Sequence, residues 1–99
     1  MERGGAVYIM TNTNKTTLYI GVTSDLVTRI QEHKYHKYSN SFTSKYNLEY
    51  CVYYSFYPTI DEAIEREKQL KKFKREKKER LISSINPEWK DLWEEIKNW

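Results

Sequence analysis

A single cysteine, Cys51, stands in this chain of 99 residues, so no disulfide can close within it. That usage suits a reducing compartment, and a cytoplasmic location is expected. No stretch approaches the roughly 20 apolar residues that a membrane helix needs. The opening, MERGGAVYIM, has one arginine and no long apolar run, so no signal peptide is expected. Repeats and low-complexity tracts are missing. No Cys/His cluster occurs at ligand spacing, which argues against a structural zinc site. At 99 residues there is room for one small domain, expected to span 1–99, and none for a separate targeting domain. Charge of one sign is also scarce in the net: 17 Lys and Arg stand against 14 Asp and Glu, leaving +3. That balance is compatible with a polyanionic partner without demanding one.

What is present is tyrosine, nine of them, and a patterned first third. Two short apolar runs, AVYIM and TLYIGV, flank the polar NTNK, which is a hairpin signal. A turn centred between Thr13 and Asn14 places Tyr8 opposite Tyr19. Val7 and Ile9 then point to one face, and Tyr8, Tyr19 and Gly21 to the other. Gly21 has no side chain, so a neighbour can approach its backbone closely. Thr23 or Ser24 is expected to cap a helix over residues 24–34 whose apolar side is Leu26, Val27 and Ile30. Arg29 and His33 lie one turn apart at the edge of that side. The plain alternative is a solvated arginine and a surface histidine.

Residues 34–47, KYHKYSNSFTSKYN, are polar, aromatic and expected to be irregular; Lys37 and Lys45 could touch phosphate. LEYCVYYSFY, ended by Pro58, reads as a third strand, central or half buried, in which Cys51 is a small buried hydrophobe. Thr59 or Asp61 opens a helix over residues 60–73 with apolar positions Ile60, Ala63, Ile64 and Leu70. At about 100° per residue, Glu67 projects near the middle of that stripe. An inward carboxylate costs stability unless it is paired, protonated or metal-bound, so it marks a candidate site. An ion pair with Arg29 or a lysine, or a rotated helix, is the competing explanation. The basic run that follows, with Lys71, Lys72, Lys74, Arg75, Lys77 and Lys78, either breaks between two helices or forms one exposed helix. It is a phosphate-attracting patch or a solvated face. Asn86 and Pro87 read as cap and first residue of a last helix, whose Trp89, Leu92, Trp93 and Ile96 form a core-facing stripe. The expected fold class is α+β: a three-stranded antiparallel sheet, hairpin plus third strand, flanked by helices.

The hairpin resembles the GIY-YIG endonuclease family, in particular its small single-domain bacterial members. Tyr19-Ile20-Gly21 is the intact second half-motif. Ala6-Val7-Tyr8 keeps only the tyrosine of the first. Eleven positions separate the two tyrosines, and Arg29 follows Gly21 by eight, as the family spacing has it. The family's metal-binding glutamate lies in such a helix, within a Glu-Ala-hydrophobic pattern; Glu62-Ala63-Ile64 resembles that pattern, and Glu67, five positions on from Glu62, resembles the glutamate. The resemblance implies a metal-dependent endonuclease with one Mg²⁺ or Mn²⁺ ion on Glu67. Tyr8 would be the general base, its pKa lowered from about 10 by nearby cations. Arg29 would neutralise phosphate charge, Tyr19 would hydrogen-bond the water or a phosphate oxygen, and His33 would relay a proton or contact phosphate. Asn86 could correspond to an asparagine the family places after the glutamate helix, although capping explains it equally well. DNA is the expected substrate, with RNA open, and a protein partner could supply targeting. A non-cutting nucleic-acid-binding module and a purely structural protein are the alternatives.

Overall fold

A computed structural model describes residues 4–99. Residues 1–3 of the expected loose N-terminal end lie outside the described residues, and Gly5, also assigned to that end, opens the first strand instead. The sheet has three antiparallel strands, β1 (Gly5–Thr11), β2 (Leu18–Thr23) and β3 (Tyr50–Tyr57), in the order β2-β1-β3. β1 is therefore the central strand, and every one of its residues is buried. The third strand, read as central or half buried, is half buried and lies at an edge. Its Phe56 remains exposed.

The hairpin register differs from the expected one by two residues. Tyr8 faces Gly21, and Tyr19 faces Met10. The reason lies in the turn: the Asn12 Oδ1 accepts from the backbone N–H groups of Thr16 and Thr17, at 2.9 and 3.2 Å, and Lys15 takes a φ of 58°. This side-chain closure moves the turn's centre one residue along. Because the pairing slips by an even number, every side chain keeps its expected face.

Helices cover both faces. α1 (Leu26–Lys34) and the short α5 (Trp93–Ile96) bury Leu26, Ile30 and Ile96 against Ala6, Tyr8 and Met10. On the other face, α3 (Ile60–Lys71) and α4 (Arg75–Ile85) bury Ala63, Leu70 and Ile82 against Val7, Ile9, Ile20 and Val52. Each fully buried Leu or Ile contributes about 1.5–3 kcal/mol. The start of α1 is capped by Asp25, whose carboxylate accepts from the Thr28 N–H, and not by Thr23 or Ser24. Thr23 hydrogen-bonds the Asp25 backbone and shapes the approach to that cap. Thr59 caps α3. The basic run breaks between α3 and α4. There Arg75 donates to the carbonyls of Lys15 and Thr16, fastening α4 to the β1–β2 turn.

A β-bulge lies between Ile9 and Met10 in the pairing of β1 with β3. Ile9 pairs with Tyr53 and Met10 with Cys51, so Val52 and Tyr53 both turn toward the α3/α4 face. The last helix is much shorter than its aromatic periodicity suggests, and its expected span instead stabilises this bulge. Asp91 accepts from the Cys51 N–H, Leu92 donates to the Cys51 carbonyl, and Asn86 donates to the Val52 carbonyl. Trp89 packs on the α3/α4 side, whereas Leu92 and Trp93 pack on the α1/α5 side, so they do not share one stripe. Residues 34–47 are less irregular than expected: α2 (Phe42–Lys45), capped by Ser41, lies within them.

Candidate active site

Tyr8 occupies the centre of the sheet, 2 % exposed, on the α1/α5 face. Its ring lies across β2 at Gly21. A Cβ on Gly21 would stand 2.4 Å from both the Tyr8 Cζ and its hydroxyl oxygen. The neighbour that this glycine admits is thus Tyr8 itself, and the missing side chain lets a phenol from the central strand reach toward the sheet's edge. There the hydroxyl meets His33 Nε2 at 2.8 Å. His33 Nδ1 lies 2.9 Å from the hydroxyl of the buried Thr43 on α2, which in turn lies 3.2 Å from the Ser41 hydroxyl.

Burial fixes the protonation of this chain. It pushes the His33 pKa down to about 4, aided by the Arg29 charge and opposed by Glu32. A neutral imidazole has one donor and one acceptor nitrogen. We assign the acceptor to Nε2, which takes the Tyr8 proton, and the N–H to Nδ1, which donates to Thr43. The Tyr8 phenol is pushed far above its ordinary value, by burial first and by Tyr19 second; Arg29 opposes this and Glu67 adds to it. Arg29 alone therefore does not give the expected lowering of that pKa. The cost of moving a phenolate out of water exceeds the attraction of one half-exposed guanidinium.

Tyr19 packs against both partners, with ring centroids 6.3 Å from Tyr8 and 5.8 Å from His33. Arg29 is 3.8 Å from the Glu32 carboxylate, and its charge acts on both Tyr8 and His33. Glu67 is only 15 % exposed at its side chain, and Lys71, one turn on, stands 3.4 Å from its carboxylate. The inward projection and the ion pair, which the periodicity set against each other, are both present. Although α3 packs on the opposite face from Tyr8, the Glu67 charge acts on the Tyr8 hydroxyl. The two sides meet at the β2 edge, where a cleft of about 400 Å³ is lined by Leu18, Tyr19, Ile20, Phe42, Lys71 and Lys78.

The basic candidates divide. Lys71 and Lys78 line the cleft. Lys72 and Lys74 are exposed at the ends of α3 and α4. Lys77 sits 4.0 Å above the Phe73 ring. Lys45 stands over Tyr46, and Lys37 pairs with Glu32. Arg75 is committed to the hairpin turn and to Glu79. Asn86 is no helix-start cap: it ends α4, and its buried amide bonds the Val52 and Lys90 carbonyls and the Lys90 N–H. It positions the scaffold. Burial pushes the Cys51 thiol up to about 12, in keeping with a packing role.

Sequence reasoning missed Thr43, the second partner of His33, and Phe42 beside it. A serine cap ahead of FTSK was their signal. It also missed Lys34, which donates to the Glu49 carbonyl and pairs with Asp91, joining α1 to the C-terminal segment.

Comparison with known families gives the class, a domain of a nuclease family. The family model for the GIY-YIG catalytic domain matches residues 4–80, and the chain belongs to that family. A UPF0213 protein of Syntrophus aciditrophicus (strain SB) is 35% identical over 82 residues, covering 83% of this chain and 92% of the relative. No solved structure matches the chain.

The family's divalent metal can be tested against the residues present. Among the described residues, no three of His, Cys, Asp and Glu gather at a point that could hold an ion. What exists is one inward carboxylate whose partner is a flexible, half-exposed lysine. Mg²⁺ retains several waters and is often held by one or two carboxylates plus substrate phosphate. Glu67 supplies one such carboxylate.

Proposed function

We propose that this chain is a metal-dependent endonuclease, a single domain over residues 1–99 that hydrolyses DNA phosphodiester bonds with structure selectivity or without sequence preference. The observation that carries the reading is the Tyr8–His33 hydrogen bond, set where the charges of Arg29 and Glu67 both act on the phenol.

In this reaction a water oxygen bonds to phosphorus and the bond from phosphorus to the leaving sugar oxygen breaks. The water's proton passes to the Tyr8 oxygen as the phenol's own proton passes to His33 Nε2, so no phenolate forms, and the imidazolium that burial disfavours is offset by the negative charge of the phosphate. Thr43 accepts from Nδ1 in the tautomer whose Nε2 is free to take that proton, and fixes the plane of the ring. Arg29 balances charge on the phosphate, its fork suited to two oxygens at once. Tyr19 orients the water or a phosphate oxygen. The leaving oxygen takes a proton from solvent. Glu67 would hold the Mg²⁺ or Mn²⁺ ion, which when bound supplies positive charge to the phosphate and makes water more acidic.

A plasmid nicking assay with Mg²⁺ or Mn²⁺ tests this. The wild type should nick, and Glu67→Ala should lose nicking while keeping most binding. Equal cutting by both proteins sinks the metal role. A second reading, an inactive nucleic-acid-binding module of the same fold, draws on the Lys71–Glu67 pair, which neutralises the carboxylate. It predicts salt-sensitive binding with no nicking in either protein.

A further inference from the structure

We infer that the cleft at the β2 edge is a seat for one unpaired nucleobase, with Phe42 as its stacking surface. The proposal rests on the nuclease reading for its position beside the scissile phosphate, and it names the preferred substrate class: single-stranded, flapped or frayed nucleic acid ahead of intact duplex.

Phe42 opens α2 and is 48 % exposed, outside both core clusters. An exposed phenylalanine does nothing for the core. Yet this one is held in place by neighbours on both sides. Its ring centroid is 6.1 Å from Tyr19, with planes 30° apart, and 4.7 Å from Tyr46. A row of rings thus runs outward from the candidate site: Tyr8, Tyr19, Phe42, Tyr46. The cleft beside it has an aromatic and aliphatic wall from Tyr19, Phe42, Leu18 and Ile20, and two ammonium groups, Lys71 and Lys78, complete its lining. Lys45 stands over Tyr46 at the outer end.

An apolar wall bordered by cations calls for a ligand with a flat apolar face and an anionic link, and a nucleotide has both. Duplex DNA hides its base faces in the stack and offers only phosphates to such a wall. An unpaired base offers the face as well, and stacking on an exposed ring accepts any base. The cleft volume, about 400 Å³, lies at the lower end of pockets that hold small ligands, which suits one nucleotide. Position adds a consequence: Phe42 precedes Thr43, the residue bonded to His33, so a base on Phe42 sits one residue from the proton relay.

The test uses fluorescently labelled 12-nucleotide oligomers of mixed sequence: single-stranded DNA, the same DNA as blunt duplex, the single strand with one abasic site, and the RNA strand. Anisotropy in EDTA reports binding without cleavage. The wild type should prefer either single strand to duplex. Phe42→Ala should weaken single-strand binding about tenfold, the size of one base–aromatic stack, and leave duplex binding unchanged. Phe42→Trp should restore the preference, and DNA against RNA shows whether the seat reads the sugar. The same weakening of strand and duplex by Phe42→Ala, or no preference in the wild type, overturns the seat. Single-strand preference that depends on Phe42, with no cleavage on adding Mg²⁺, upholds the seat and defeats the nuclease reading. Duplex nicking that ignores Phe42 does the reverse.

Discussion

The two faces of the sheet are built from the same strands and differ in kind. Under α3 and α4 the sheet presents Val7, Ile9, Ile20 and Val52, an aliphatic packing surface flanked by the Tyr53 ring. Under α1 and α5 it presents Tyr8 and Met10, and its largest buried ring carries a hydroxyl that must be partnered. The first face holds the fold together. The second spends burial on a phenol, an imidazole and a threonine bound to one another. Glu67 belongs to a helix of the first face and acts on the phenol of the second. The difference teaches that a reactive group can be seated at the heart of a small sheet if an edge glycine gives it a way out.

Breaking the link between the faces should have the largest effect. Glu67→Gln should lower metal-dependent nicking at least about 10²-fold, the scale for losing a group that stabilises transition-state charge, with little change in the urea midpoint. Next comes Gly21→Ala. One methyl added there collides with the Tyr8 ring, and a cost of about 1–3 kcal/mol follows from overpacking a site that cannot give. The same change in a Tyr8→Ala background should cost much less, and a double-mutant cycle in urea measures it. On the other face Ile9→Val, which removes a methylene from a plain packing surface, should cost only about 1 kcal/mol and leave nicking intact.

Asn86→Ala probes the scaffold under both faces. It strips the Val52 and Lys90 carbonyls and the Lys90 N–H of a partner, for about 2 kcal/mol, read from the urea midpoint. A pH series isolates the polar face. The His33 pKa is about 4 in the folded protein and about 6.5 when unfolded. The unfolded chain therefore binds more protons between those values, so the His33 contribution is full above about 6.5 and is lost as pH falls toward about 4. The difference in stability between wild type and His33→Phe should shrink along that fall; a constant difference would show that His33 does not titrate in this way. The smallest effect is expected at Arg75→Ala, under about 1 kcal/mol because its bonds are exposed, with single-strand binding reduced less than by Lys71→Ala. A larger loss of binding than Lys71→Ala causes would return Arg75 to the nucleic-acid surface.

Much of the polar face was legible. The alternation of AVYIM and TLYIGV put Tyr8, Tyr19 and Gly21 together on one side, and one helical turn put Arg29 and His33 together. Helical period alone turned Glu67 inward. The strand pairing was not legible, because the Asn12 side chain closes the turn and nothing in a period of two reveals a loop offset. The bulge was hidden for the same reason: Val52 and Tyr53 share a face only because the segment around Asn86 and Asp91 grips the strand from outside. Thr43 stands in a loop with no period to place it.

Local chemistry along the chain settled which residues face which way and which are candidates: alternation in strands and the 3.6-residue period in helices act between near neighbours, so the letters suffice. The tertiary fold decided that β1 is central, that the Tyr8 phenol is buried and bound to a neutral histidine, and that Glu67 acts on it from the far side of the sheet. Burial and long-range charge depend on what the rest of the chain removes from water, and no stretch of sequence carries that quantity by itself.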